Sequence, residues 1–126
     1  MSRRQLEFVY VPLFERTRKN LLSDEEMRQV ENALLEDPEA GSVMGDTGGI
    51  RKIRAAQEHR GKSGSARVLY YYKSNRETVY FLLAFAKNVQ ANLTAAQKKI
   101  LRAVVAALEA EEWPAPGKHR EPEHKE

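Results

Sequence analysis

Residues 66–86 read ARVLYYYKSNRETVYFLLAFA, two runs of β-branched and aromatic side chains joined by the polar quartet Ser74-Asn75-Arg76-Glu77. Runs of that composition around a polar turn predict a hairpin with strands over 66–73 and 78–86. The second run is apolar at nearly every position, so it needs cover on both faces and belongs at the centre of a sheet. Upstream, Gly41, Gly45, Gly48 and Gly49 mark a loop that delivers the chain into IRKIRA, residues 50–55, a further strand. Leu6, Phe8 and Tyr10 alternate with Glu7 and Val9 as a first strand, whose ladder ends at Pro12 before a short helical segment around 14–19. Ser23 with Glu26 forms a capping box, and Met27, Val30, Leu34 and Leu35 follow at helical spacing until Pro38. Downstream, Thr94 with Gln97 caps a last helix whose Ile100, Leu101, Val104, Val105 and Leu108 form one apolar face.

A chain of 126 residues with 41% hydrophobic content builds one core. Without cysteine it folds by packing alone, with neither disulfides nor thiolate zinc sites. The expected domain spans residues 1–113; beyond Trp113, residues 114–126 are Pro-containing and charged and read as a flexible tail. The opening MSRRQLEFVY lacks the apolar run of a signal peptide, and the longest apolar stretch, 79–86, is too short to cross a bilayer. A cytoplasmic location, with no membrane partner, is the expectation by exclusion.

The net charge is only +3, but it is unevenly spread. Residues 45–76 carry eight lysines and arginines against Asp46 and Glu58, a local +6, whereas residues 1–44 carry six basic and nine acidic side chains, a local −3. A basic patch within a balanced domain is the electrostatic footprint expected of a phosphate-binding surface. Alternation along a strand puts Lys52 and Arg54 on one face and Arg51 and Ile53 on the other. The glycine-containing loop His59-Arg60-Gly61-Lys62-Ser63-Gly64-Ser65 adds two cations, Arg67 opens the next strand, and Lys87-Asn88 end the last one. Should these strands be neighbours, the cations converge.

Such a cluster suits RNA cleavage, in which the 2′-hydroxyl attacks the adjoining phosphate and charge builds on the non-bridging oxygens. Arginine cannot act as the base because it does not deprotonate in proteins. A lysine crowded by like charges can, which makes Lys52, beside Arg54, Arg60 and Arg67, the candidate. Lys62, Lys87 or Tyr71 could protonate the leaving oxygen. Of the run Tyr70-Tyr71-Tyr72 most reads as core, with Tyr71 as the candidate for stacking on a base. His59 is the one histidine in the basic region and reads as a surface residue. No metal motif and no phosphate-cradling loop is present, so neither a metal nor another cofactor is expected.

At these residues the chain resembles the RelE/ParE superfamily of toxins, and within it the HigB-like branch. The resemblance lies in GDTGGIRKIRAA (45–56), GKSGSARVLYYY (61–72) and YFLLAFAKN (80–88), in that order and followed by a capped helix. It implies an α+β fold of the RelE-like kind: a small, mostly antiparallel four-stranded sheet packed against N-terminal helices and a C-terminal helix. It also implies a ribosome-dependent endoribonuclease acting on messenger RNA and neutralised by a cognate antitoxin, expected to be a helix-turn-helix protein. By position in the motif, Lys52 and Arg54 match the paired basic strand residues of RelE-type toxins, Arg67 the arginine opening their next strand, and Lys87 the lysine ending the last. Asn88 stands where those toxins carry another catalytic arginine, which leaves Arg60 or Lys62 as its substitute. The expected catalytic set is therefore Lys52, Arg54, Arg67 and Lys87, with Arg51, Arg60, Lys62, Tyr71 and Asn88 contacting RNA or ribosome. Two other readings use the same cations: a ParE-like toxin that inhibits gyrase without cutting RNA, and a nucleic-acid-binding domain without catalysis.

Overall fold

The computed structural model describes residues 5–57, 65–87 and 93–110, together with the backbone of residues 118 and 119. The chain begins with strand β1 (Glu7–Tyr10) and helices α1 (Pro12–Arg18) and α2 (Asp24–Glu36). Strands β2 (Ser42–Val43), β3 (Arg51–Ala56), β4 (Ser65–Lys73) and β5 (Thr78–Ala86) follow, then helix α3 (Ala95–Glu109) and strand β6 (Lys118–His119). The sheet order is β2-β3-β4-β5-β1-β6. Only the β1–β5 pairing is parallel.

The four long strands are those expected from composition. The sheet is nevertheless wider than four strands, because the two-residue strands β2 and β6 extend its two edges. Two residues are too few to leave a periodic signal, so sequence patterning missed both. β5 lies between β4 and β1 and is largely buried along its length, as its unbroken apolar run requires. Leu82 is the extra residue of a bulge, since Leu69 pairs with Leu83 and Tyr70 with Phe81.

Both capping boxes are present, at Ser23 with Glu26 and at Thr94 with Gln97, and each satisfies two otherwise orphaned N–H groups. The apolar face expected of α3 needs one correction. Leu101, Val105 and Leu108 are buried, but Ile100 is 60% exposed. At about 100° per residue, Ile100 falls roughly 100° off the line through Leu101, Val105 and Leu108, outside the contact stripe.

Alternation divides the sheet into two unlike faces. On one, Phe8, Tyr10, Phe81 and Tyr70 meet α1 and α2. Phe14 of α1 stacks on Phe81 with ring centroids 5.2 Å apart and meets Tyr10 edge-on at 5.4 Å. The buried hydroxyl of Tyr10 donates to Glu31 of α2. The hydroxyl of fully buried Tyr70 donates to the Pro38 carbonyl and accepts from the Gly41 N–H, both at 2.9 Å. Gly41 has no alternative here: a Cβ would lie 2.8 Å from the Lys52 carbonyl oxygen and 2.9 Å from the Tyr70 ring.

The other face carries α3 over the far half of the hairpin. Buried Lys73 donates from Nζ to the Leu108 carbonyl at 2.6 Å, placing a cation at the negative end of the helix. Tyr71 donates to the Glu109 carboxylate. The near half of this face, beyond the reach of these contacts, belongs to the cations.

Candidate functional site

Arg54 of β3 and Arg67 of β4 are direct cross-strand partners, and Lys52 stands opposite Leu69 two residues along. In an antiparallel ladder, partners point to the same face with Cβ atoms about 4.5–5.5 Å apart. Two guanidinium-bearing side chains directly opposite each other is an arrangement that costs stability unless something anionic comes between them. Arg54 is exposed, and Lys52 and Arg67 are half-buried. The described ion pairs engage Arg18, Arg28, Arg51 and Arg102. Among the described residues, none holds Lys52, Arg54 or Arg67.

Ser65 ties the strand ends together. Its hydroxyl accepts from Arg67 Nη1 at 3.0 Å, which fixes the arginine, and its carbonyl accepts from the Lys87 N–H at 3.5 Å. The end of β5 is therefore beside the start of β4, and Lys87 is exposed there. Thus the ladder brings Arg54, Arg67 and Lys87 to one end of the hairpin, with Lys52, opposite Leu69, two residues further in.

Other candidates sit elsewhere. Arg51 faces the α2 side, where Nη1 donates to the Gly41 carbonyl at 2.7 Å and to the Glu39 carbonyl at 3.1 Å. Its charge is engaged in holding the loop between α2 and β3. Tyr71 lies four residues from Arg67, roughly 13 Å along the strand. Burial, aided by its hydrogen bond to the Glu109 carboxylate and that group's negative charge, raises its phenol well above the ordinary range, so the proton stays on at neutral pH. Arg60, Lys62 and Asn88, and with them His59, lie outside the described residues.

Sequence patterning passed over a second set of basic side chains, on α3. Lys98 and Lys52 line the same groove of about 260 Å³, whose other walls include Ser42, Val43, Met44 and Leu93. Arg102, one turn on, donates from Nη1 to the Asp46 carbonyl at 2.9 Å and sits 3.5 Å from its carboxylate. Lys98 lies about 60° to the side of the α3 contact stripe, opposite to Ile100. Helical geometry could have flagged it, but not the loop it faces.

Among the described residues no cluster of histidine, cysteine, aspartate or glutamate is arranged to hold a metal ion, and no helix is long and apolar enough to cross a membrane. The fold and this face together define a small α+β domain whose sheet presents clustered cations beside a helix, with no ion pair to them among the described residues. The family model described as the RelE toxin of the RelE/RelB toxin–antitoxin system matches residues 8–113. The chain belongs to the RelE toxin family, and is the toxin member of a toxin–antitoxin pair.

Proposed function

We propose that the protein is a metal-independent endoribonuclease that cuts messenger RNA on the ribosome and so arrests translation, as the HigB-like resemblance implies. The observation that carries this reading is the direct opposition of Arg54 and Arg67 with Lys52 on the same face. A phosphate between the strands would meet both guanidinium groups, and their charge would be worth most when the phosphorane gains negative charge. Lys52 takes the 2′-hydroxyl proton as that oxygen bonds to phosphorus. Lys87 supplies a proton to the departing 5′-oxygen as the P–O5′ bond breaks, leaving a 2′,3′-cyclic phosphate and a 5′-hydroxyl. Arg60, Lys62 and Asn88 belong to the RNA-contacting surface in this reading, and Arg51 and Tyr71 support the sheet that carries it. Residues 1–113 form the body of the toxin domain, and the chain beyond returns to its sheet through the edge strand β6, so the expected separate tail does not hold for residues 118 and 119. The antitoxin is a helix-turn-helix protein encoded nearby.

Dependence on the ribosome follows from what the site has to work with. The one histidine of the basic region, His59, has no second histidine beside it in the sequence, so the usual acid–base pair is missing and proton transfer falls to lysines, which are modest catalysts. A decoding site that holds one phosphate in a fixed conformation can contribute up to about 7–11 kcal/mol through orientation alone. The test is to incubate the purified toxin with one message, either free or on translating ribosomes, and map the 5′ ends. Cuts confined to the ribosome-bound message are expected. Equal cleavage of both would remove the ribosome from the mechanism, and no cleavage of either would favour an inhibitor that only binds.

A further inference from the structure

The groove shared by Lys52 and Lys98 has an apolar floor, two cationic lips and a fixed wall. Met44 and Leu93 supply apolar surface, and the edge strand β2 borders them with Ser42 paired to Lys52 and the 56% exposed Val43 paired to Arg51. Among the described residues, no acidic side chain lines this groove. The wall is the 44–50 loop, which is closed by Met44 N–H donating to the Ile50 carbonyl at 2.8 Å. Inside it, fully buried Thr47 donates to the Met44 carbonyl at 2.7 Å and accepts from the Ile50 N–H at 3.1 Å. The loop is clamped to α3 twice. Gly48, at φ 84°, lies so close to α3 that a Cβ would come within 3.3 Å of Val105, and Asp46 is held by Arg102. Because Asp46 engages Arg102, Lys98 is the α3 cation left to face the groove.

We infer that this groove is the binding site for the nucleotide next to the scissile phosphate, with that nucleotide's phosphate on the Lys98 ammonium and its base on Met44 and Leu93. The inference rests on the ribonuclease reading, since Lys52, which takes the 2′-hydroxyl proton in that reading, lines the same groove. Size supports a single nucleotide unit: about 260 Å³ is just below the roughly 300–1,000 Å³ of sites for drug-sized ligands. The chemistry fits as well. A base offers a flat apolar face that aliphatic side chains can cover, and its phosphate offers charge to the Lys98 ammonium. A second recess, lined by Lys98, Leu93, Ala95, Asp46 and Arg102, continues along α3 and gives the strand a path onward. In this arrangement Lys98 is a positioning residue: it holds the neighbouring nucleotide and does not touch the reacting atoms.

The experiment measures cleavage of message on translating ribosomes by wild type, Lys98→Ala, Lys98→Arg and Met44→Ser, with thermal melts to show that each is folded. Loss of one charge-assisted contact made equally in ground and transition states should raise KM roughly tenfold and leave kcat within about twofold. Lys98→Arg should restore most of the affinity, and Met44→Ser should redistribute cleavage among sites. A wild type that cuts, with Lys98→Ala and Met44→Ser matching its KM and cleavage map, would overturn the inference while leaving the ribonuclease reading intact. Should wild type cut nothing, the ribonuclease reading fails first, and an NMR titration with a 5′-phosphorylated trinucleotide decides the groove. Shifts at Ser42, Met44 and Lys98 that vanish in Lys98→Glu would support a nucleotide site; their absence in wild type would overturn it.

Discussion

Arg51 and Lys52 are consecutive in the chain, carry the same charge and point to opposite sides of the sheet, yet the structure gives them unlike surroundings. Arg51 meets two backbone carbonyls of the loop after α2, at 2.7 and 3.1 Å. Lys52 lies on the face where Arg54 opposes Arg67. The first face is closed by aromatic rings, with Phe8, Phe14 and Phe81 stacked and Tyr10 edge-on. The second face is only half closed, by α3. One side of the sheet is thus closed along its length by apolar burial against α1 and α2. The other is buried only where α3 covers it, and beyond α3 it keeps like charges together, an arrangement that costs stability. The difference between the faces is a division between stability and binding, and it can be tested residue by residue.

The largest effect should come from the closed face. Phe14→Ala removes a ring that is fully buried against Phe81 and Tyr10, at an expected cost of about 3–5 kcal/mol. Denaturant unfolding should show a much lower midpoint, while activity per folded molecule is kept. A loss below about 1 kcal/mol would mean that this face is not the stabilising one. On the open face, Arg54→Ala and Arg67→Ala should each lower cleavage by about 10²–10³-fold with little change in melting temperature. Because the two guanidinium groups oppose each other, removing one could even raise stability slightly. Growth arrest at wild-type strength by both variants, at matched protein levels, would dissolve their catalytic role.

The neighbours Arg51 and Lys52 give the sharpest contrast. Arg51→Ala should destabilise by about 1–3 kcal/mol, since two carbonyls lose a charged donor, and should cut RNA normally once folded. Lys52→Ala should melt like wild type and fail to cut. Exchange of these two outcomes would reverse the assignment of the faces.

The smallest effect concerns pH. Burial and the Glu109 carboxylate raise the Tyr71 phenol, and burial raises that of Tyr70. The folded state therefore keeps protons that the unfolded chain gives up near the ordinary phenol value of about 10. The associated stability is complete below about pH 10 and declines as pH rises toward the folded values. Tyr71→Phe should make the decline between pH 9 and 11 shallower, as read from denaturant midpoints. An identical decline in both proteins would show that the Glu109 contact does not form in solution.

Local physics made much of this molecule legible in advance. Hydrophobic alternation located β1, runs of β-branched and aromatic side chains located β4 and β5, and the glycine-rich loop announced β3. The pairs Ser23/Glu26 and Thr94/Gln97 located two helix starts. Each of these signals depends on residues close in the chain. Alternation also put Lys52 and Arg54 on one face and Arg51 on the other. What only the tertiary structure decided was which distant residues meet. The β3–β4 register set Arg54 against Arg67, where a shift of one residue would have set it against a side chain of the opposite face. The two-residue strands β2 and β6 exist only because a neighbouring strand offers them partners. Lys98 reached the Lys52 groove because Gly48, with its left-handed backbone, lets the 44–50 loop close on α3. A contact between residues nearly fifty positions apart depends on the free energy of the whole packed chain, and no window of sequence contains it.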